Sequence, residues 1–228
     1  MQSVKTWADM HGYDYEFSGD ESFEVLPHWF QKKFEGMGPQ LSDLARLLMA
    51  KDKLQSGYER VVWADADVLV ISPESLVLPP CKDSLFGYEH WVDVDSKGKL
   101  KHWNHLHNAF MVFKKRSVVL PYLIYSIESI AERIDINEFA PQTFGPKLLG
   151  ALHSISKFDV QDDVGALSPL VCRDLMNGGG QALDLFRKLQ KRSPSALNLC
   201  LSLVENHDEM LDLCTLLRAE PTLVGAPE

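Results

Sequence analysis

The sequence predicts an α/β sandwich, because apolar segments of strand length alternate along the chain with segments whose apolar residues keep a helical spacing. The composition is that of an ordinary globular protein, at 45% hydrophobic and 24% charged residues. A chain of 228 residues can form one large core. We therefore expect a single domain over residues 1–220 and a flexible, Pro- and Gly-containing tail over residues 221–228.

The first half of the chain predicts two helices and two strands. A short helix ends at Gly12, and the strand-like segment Tyr13–Phe17 follows it. A second helix begins with Ser42 as its N-cap, carries Asp43 in its first turn and ends at Gly57. A strand follows directly. Because α/β proteins usually begin with a strand, the first strand of the expected fold is missing here.

The second half continues the alternation. We predict strands over residues 85–88 and 108–113, with a turn-bearing hairpin over 93–101 between them. An amphipathic helix spans 119–130, and the region 181–218 is mostly helical in pattern. The expected fold therefore has a helical C-terminal part.

Charge and cysteine usage exclude several classes of function. The net charge of -9 argues against nucleic-acid binding and anionic membranes, which require clustered Lys and Arg. The cysteines form no Cys-x-x-Cys pair, so neither a zinc site nor a disulfide framework is indicated. No segment has the length and apolarity of a signal peptide or a transmembrane span. We expect a cytoplasmic protein without a transmembrane segment, and the sequence leaves its oligomeric state open.

Two carboxylates interrupt the apolar segment 61–71. Asp65 and Asp67 are separated by one residue, at the point where a strand would leave its sheet. Because an unpaired charge is costly inside a sheet, this pair is best interpreted as a site for a hard divalent cation, Mn2+ or Mg2+, that would bind the phosphates of a ligand.

Asp43 and Arg46 lie three residues apart on the preceding helix, so their side chains share one face of it. Alone, such a pair is as well explained by an ion pair that caps the helix. Combined with the two carboxylates that follow the helix, it becomes more specific. The order of Asp43, Arg46, Asp65 and Asp67 is the feature that carries the functional hypothesis.

In this order and spacing, residues 40–70 resemble the glycosyltransferases whose sugar-binding region contains an Asp-x-Asp motif. These GT-A type enzymes include yeast-type mannosyltransferases and the glucosyltransferase domains of large clostridial toxins. The resemblance implies a GT-A, Rossmann-like fold with a mixed, mostly parallel sheet. It also implies transfer of a hexose from a nucleoside diphosphate sugar, UDP-linked in preference to GDP-linked, to an acceptor hydroxyl, with retention of configuration.

The resemblance also implies roles for individual residues. Asp43 and Arg46 would contact the donor sugar, Asp65 would contact both the ribose and the metal, and Asp67 would ligate the metal. A cation at this position neutralises the developing charge of the departing diphosphate.

Three more residues are candidates of lower specificity. Asn108 at a strand entrance and Gln142 before a Gly-Pro turn are candidate sugar contacts, and His207 is the candidate third metal ligand. Each is equally explained as an ordinary loop or surface residue. The histidines at 102, 105 and 107 lack the spacing of a metal site.

Two other functions match the same carboxylates. Asp65-Ala66-Asp67-Val68-Leu69 also fits the motif of haloacid dehalogenase-like phosphatases, in which Asp65 would be the nucleophile. That motif usually lies near the N-terminus and needs a later acidic loop, for which Asp162-Asp163 is a poor match. A non-catalytic nucleotide- or carbohydrate-binding module, including an inactive relative of the transferases, is the third hypothesis.

Overall fold

The structure is a computed structural model that describes residues 1–140, 142–203 and 207–225, without the side chains of Glu138 and His207. Eight α-helices and seven strands are found among these residues. The helices are α1 Gln2–His11, α2 His28–Lys33, α3 Gly38–Gln55, α4 Val119–Arg133, α5 Leu148–Ser156, α6 Pro169–Met176, α7 Gln181–Leu189 and α8 His207–Ala219. The strands are β1 Arg60–Ala64, β2 Val68–Val70, β3 Ser84–Val94, β4 Leu100–Lys114, β5 Asp159–Gln161, β6 Val164–Ala166 and β7 Ala196–Asn198.

The strands form two mixed sheets, in the orders β1-β4-β3-β5 and β2-β7-β6. The predicted α/β class with flanking helices is confirmed. The expectation of a mostly parallel sheet is wrong, because β1/β4, β3/β4 and β2/β7 are antiparallel and only β3/β5 and β6/β7 are parallel among the described strands. The physical reason is the long β3–β4 hairpin, since a tight turn can only join antiparallel neighbours.

This hairpin turns where the sequence predicts it. The side chain of Asp95 accepts hydrogen bonds from the backbone N–H groups of Lys97 and Lys99, at 2.9 and 3.0 Å. Gly98 adopts a φ of 72°, a left-handed conformation that glycine adopts without steric cost. The turn is therefore specified by local side-chain chemistry.

Helices α3 and α4 pack on the first sheet and form the largest core cluster, whereas α6, α7 and α8 pack with residues of the second sheet in another. Helix α1 covers a third cluster, in which buried Trp7 donates from Nε1 to the carbonyl of Leu76 at 2.8 Å. Among the residues described, no helix is both long enough and apolar enough to cross a membrane.

Several local expectations differ from the structure. Helix α3 begins at Gly38, so Ser42 lies within the helix and is not its N-cap. The predicted strand Tyr13–Phe17 pairs with no other described strand. The mostly helical region 181–218 contains the short strand β7, whose neighbours β2 and β6 come from elsewhere in the chain.

Residues 220–225, the described part of the chain after α8, are packed where a flexible tail was expected over 221–228, and residues 226–228 of that prediction lie outside the described residues. Pro221–Val224 forms a 3-10 turn, and Val224 is buried. Arg187 donates from Nε to the carbonyl of Leu223 at 2.7 Å. This contact with α7 holds the described part of the segment against the core.

Candidate functional site

The Asp65–Asp67 segment is the turn by which the chain passes from the first sheet to the second. It follows β1 directly and precedes β2, and the N–H of Val68 donates to the carbonyl of Asp65 at 3.0 Å to close the turn. The N–H of Asp65 donates to the carbonyl of Ala109 in β4 at 2.8 Å. The antiparallel pairing of β1 with β4 thereby brings Asn108 next to this turn.

Arg46 is the centre of the polar cluster. Its Nη1 lies 3.0 Å from Asp65 Oδ1 and donates to the carbonyl of Asn108 at 2.9 Å, and its Nη2 lies 3.5 Å from Asp43 Oδ1. The Arg46 side chain is only 8% exposed. A guanidinium buried to this degree requires compensating negative charge, which the two carboxylates supply. The structure thus brings together four of the residues that the sequence singled out.

Asp43 and Asn108 are the other two partners of the Arg46 guanidinium, and they also contact each other. Asn108 donates from Nδ2 to Asp43 Oδ1 at 2.7 Å. Burial raises the pKa of Asp43 to about 6, against the lowering effects of Arg46 and Asn108. The backbone at Gly145 lies close to the Asn108 side chain. A larger residue would not fit there, because a Cβ at this position would lie 2.9 Å from Asn108 Nδ2.

Both carboxylate oxygens of Asp65 are occupied by donors. Trp63 donates from Nε1 to Oδ1 at 2.6 Å, and Arg46 Nη1 lies 3.1 Å from Oδ2 in addition to its contact with Oδ1. The Arg46 Cζ also lies 5.9 Å from the centroid of the Trp63 ring. Sequence reasoning missed Trp63. Its position two residues before Asp65, on the same side of a strand, is the signal that would have identified it.

Asp67 is the more available carboxylate of the pair. Its Oδ2 accepts a hydrogen bond from the N–H of Leu201 at 3.0 Å, whereas no other described residue besides Asp67 itself donates to the carboxylate. Burial raises the pKa of Asp67, and the neighbouring charge of Asp65 raises it further. No local signal could have identified Leu201, because it lies far along the chain and reaches Asp67 only through the pairing of β7 with β2.

A cavity of about 750 Å3 opens beside these residues. Arg46, Asp65 and Asp67 line it at the C-terminal end of β1, and the rest of its wall comes from α1, residues 13–23, α3 and β1. This volume is in the usual range for a small-molecule site.

Asp43 and Asn108 do not line the large cavity. Together with Arg46 they border a separate space of about 10 Å3, which is far too small for a sugar ring. In this conformation the Arg46 guanidinium therefore lies between the large cavity and the Asp43–Asn108 pair.

The remaining candidates lie outside this cluster or outside the described residues. Gln142 is exposed, with a φ of 64°, and lines neither space. The side chain of His207 is not described. His107 is buried and its Nε2 lies 2.9 Å from the carbonyl of Val164, a structural contact with β6. Asp163, which the phosphatase hypothesis requires, contacts Ser195 Oγ at 2.9 Å and does not line the large cavity.

Within the described ranges, no group of three or more His, Cys, Asp or Glu side chains is arranged to hold a metal ion. The cysteines are free thiols, as expected. Comparison of the chain with protein-family models, with curated proteins and with solved structures found no match. The functional argument consequently depends on the geometry of the cluster.

Proposed function

We propose that the protein binds a nucleoside diphosphate sugar, with UDP preferred to GDP, and transfers its hexose to an acceptor hydroxyl in the manner of a GT-A type glycosyltransferase. One observation carries this proposal. Asp65 and Asp67 lie at the exit of a sheet strand, beside a buried arginine, and both line a cavity of about 750 Å3. Carboxylates in this position can hold a divalent cation together with the phosphates of a ligand.

The residues fit a divalent metal only when a ligand completes its coordination. The Asp67 carboxylate accepts from only one other described residue and can still ligate, whereas Asp65 would have to exchange a contact with Trp63 or Arg46. Mg2+, and by analogy Mn2+, is commonly held by one or two carboxylates together with substrate phosphates, so this donor set is adequate. When bound, the cation would supply electrophilic stabilisation to the diphosphate leaving group.

The other residues of the cluster would prepare this site. Arg46 supplies a buried positive charge beside the turn, and Asp43 and Asn108 orient its guanidinium. We infer that Asp43 and Asn108 are positioning residues in this conformation, because only Arg46 separates them from the cavity. The alternative, direct contact with the sugar, would require the guanidinium to move aside. Retention of configuration remains part of the proposal, and the described residues reveal no nucleophile for it.

A non-catalytic nucleotide-binding module is the second candidate function. It is favoured by the two occupied oxygens of Asp65 and by the lack of a third ligand among the described side chains. The phosphatase hypothesis has less support, because a nucleophilic Asp65 needs an oxygen free to attack phosphorus.

Metal-dependent binding of UDP tests the site. Thermal unfolding should shift upward when UDP and Mn2+ are added together, and Asp67→Asn should abolish this shift. The variant should retain the fold, since the Asn oxygen can still accept the hydrogen bond from Leu201. Asp52→Asn is the matched control, because it removes the same charge from an exposed position on α3. An unchanged shift in the Asp67→Asn protein would remove Asp67 from the site.

A panel of nucleotide sugars with Mn2+ then separates the candidate functions. Release of sugar supports the transferase, binding without release supports the module, and release of phosphate from simple phosphomonoesters supports the phosphatase.

A further inference from the structure

Strand β1 has an open edge within the protein. It pairs with β4 on one side and with no strand of the described residues on the other. Two hydrogen bonds at the ends of the pair, from Asp65 N–H to Ala109 O and from Lys115 N–H to Glu59 O, establish which residues pair with β4. Along a strand of an antiparallel ladder, successive residues direct their N–H and C=O groups to opposite sides. Residues 59, 61, 63 and 65 therefore direct their backbone groups to β4.

The backbone groups of Arg60, Val62 and Ala64 consequently point to the other side, which is the large cavity lined by all three residues. No described residue forms a hydrogen bond with these N–H and C=O groups. The residues of β1 are half-buried, and an unpaired strand edge of this kind is a template for another strand.

The cavity is also lined by a strand-like segment that pairs with no described strand. Tyr13–Phe17 has the residue pattern of a strand, and its side chains alternate between half-buried and exposed from Tyr13 to Glu16. Contacts with the chain around Lys53 and Tyr58 hold it in place, including a hydrogen bond of 3.0 Å from Tyr58 to Asp14. The backbone N–H groups of residues 14–17 donate to no described residue.

We propose that an extended segment of another polypeptide binds in this cavity as an added β-strand, with main-chain hydrogen bonds to Arg60, Val62 and Ala64. The unpaired backbone groups select an extended peptide over a compact ligand, because only a strand presents donors and acceptors at the same repeat.

The flanking layers specify the chemistry of this segment. On one side of β1, Val62 and Ala64 pack with the α1 cluster, and on the other side Val61 and Trp63 pack with the α3 cluster. A strand inserted beside β1 would lie between the same two clusters, and the cavity wall beside them also carries the charged side chains of Arg46 and Lys53. Its side chains should be apolar where they contact the two clusters, over about five residues to match the length of β1.

The added strand would share the cavity with the proposed nucleotide site, because Asp65 and Asp67 line the same space directly beyond Ala64. A second folded copy of this chain is a poorer occupant, because α1 and α3 flank the edge on both sides. The proposal is independent of the transferase function, and its test contains neither nucleotide nor metal.

The test uses a synthetic peptide of five Val and Ile residues with a Lys at each end. The control peptide has the same sequence with alternate backbone amides N-methylated on the edge that would face β1. We expect the first peptide to bind and the methylated peptide to bind at least tenfold more weakly. Equal binding of the two would overturn the proposal, since it would show that no ladder forms.

Amide hydrogen exchange tests the same edge without any variant. In the free protein, the amides of Val62 and Ala64 should exchange much faster than those of Val61 and Trp63, which donate to β4. Peptide binding should slow the first pair at least tenfold. If the amides of Val62 and Ala64 are protected from exchange without peptide, the proposal is contradicted. If that protection rises with protein concentration, the occupant of the edge is a second copy of the chain.

Val62→Pro removes a single donor from the open edge and leaves the ladder to β4 intact, as proline is tolerated on strand edges. The affinity of this variant for the peptide should be at least tenfold lower than that of the parent protein. Val62→Ala, which keeps the N–H, should retain the parent affinity. If Val62→Pro binds as tightly as the parent protein, strand addition is refuted. If it does not fold, hydrogen exchange and the methylated peptide decide the question.

Discussion

Glu89 in β3 provides the sharpest test of the electrostatics of this fold. Its side chain is buried at 9% exposure, and no described residue forms a hydrogen bond or an ion pair with its carboxyl group. Burial raises the pKa of Glu89 from 4.5 to about 7. Neutralising this group by Glu89→Gln should consequently change how stability depends on pH.

The sign and size follow from proton linkage. Below pH 4.5 the carboxyl is protonated in both the folded and the unfolded chain, so it has little effect. Between pH 4.5 and 7 the unfolded chain releases the proton while the folded chain keeps it, so the free energy of unfolding falls as pH rises. At about 1.4 kcal/mol per pKa unit, the loss is about 3 kcal/mol by pH 8.

Urea unfolding at about pH 4 and about pH 8 measures this effect. The free energy of unfolding of Glu89→Gln, relative to that of the parent protein, should be about 3 kcal/mol higher at pH 8 than at pH 4. This difference does not depend on any pH-independent effect of the substitution. Glu24→Gln, at an exposed position, should show no such gain. If the Glu89→Gln difference is the same at both pH values, the carboxyl is hydrated or paired in solution, and the reasoning from burial fails.

Two further substitutions test the packing around the candidate site. Arg46→Ala should lower the free energy of unfolding by about 3 kcal/mol in urea, because it leaves the half-buried carboxylates of Asp43 and Asp65 without their common partner. Gly87→Ala should cost about 1–3 kcal/mol by the same measurement, because its Cβ would lie 2.2 Å from Nε2 of the buried His107 ring.

Each of these substitutions has a matched control. Lys115→Ala breaks an exposed pair with Glu59 and should cost less than about 1 kcal/mol. Gly165→Ala places its Cβ 3.5 Å from its nearest neighbour and should be better tolerated than Gly87→Ala. Equal losses within either pair would show that the named contacts do not determine stability.

Local signals in the sequence predicted the elements whose causes are local. The end of α1 at Gly12, the β3–β4 turn at Asp95 and Gly98, and the amphipathic helix α4 all depend on residues close together in the chain. The sequence could not decide whether the Asp43–Arg46 face of the helix lies near the start or the end of the following strand, and only the resemblance implied a shared site; in the structure Arg46 contacts Asp65 at the C-terminal end of β1.

Features that depend on pairing between strands far apart in the chain could not be predicted from local sequence signals. Strand β7 has only three residues and exists because β2 and β6 lie on either side of it. Conversely, Tyr13–Phe17 has a strand pattern but pairs with none of the described strands. The hydrogen bond from Leu201 to Asp67 likewise depends on the second sheet, so the sequence could indicate the carboxylate but not its partner.

The hydrogen bonds of Asp67 connect the Asp65–Asp67 turn to the C-terminal part of the chain. Leu199 N–H donates to the Asp67 carbonyl at 3.0 Å, and Leu201 N–H donates to its side chain. The turn is thus clamped at its second end by residues that lie in sequence between β7 and α8. Loss of these two hydrogen bonds would make the Asp67 side chain more mobile. Substitutions in the segment between β7 and α8 should therefore affect the mobility of Asp67 first.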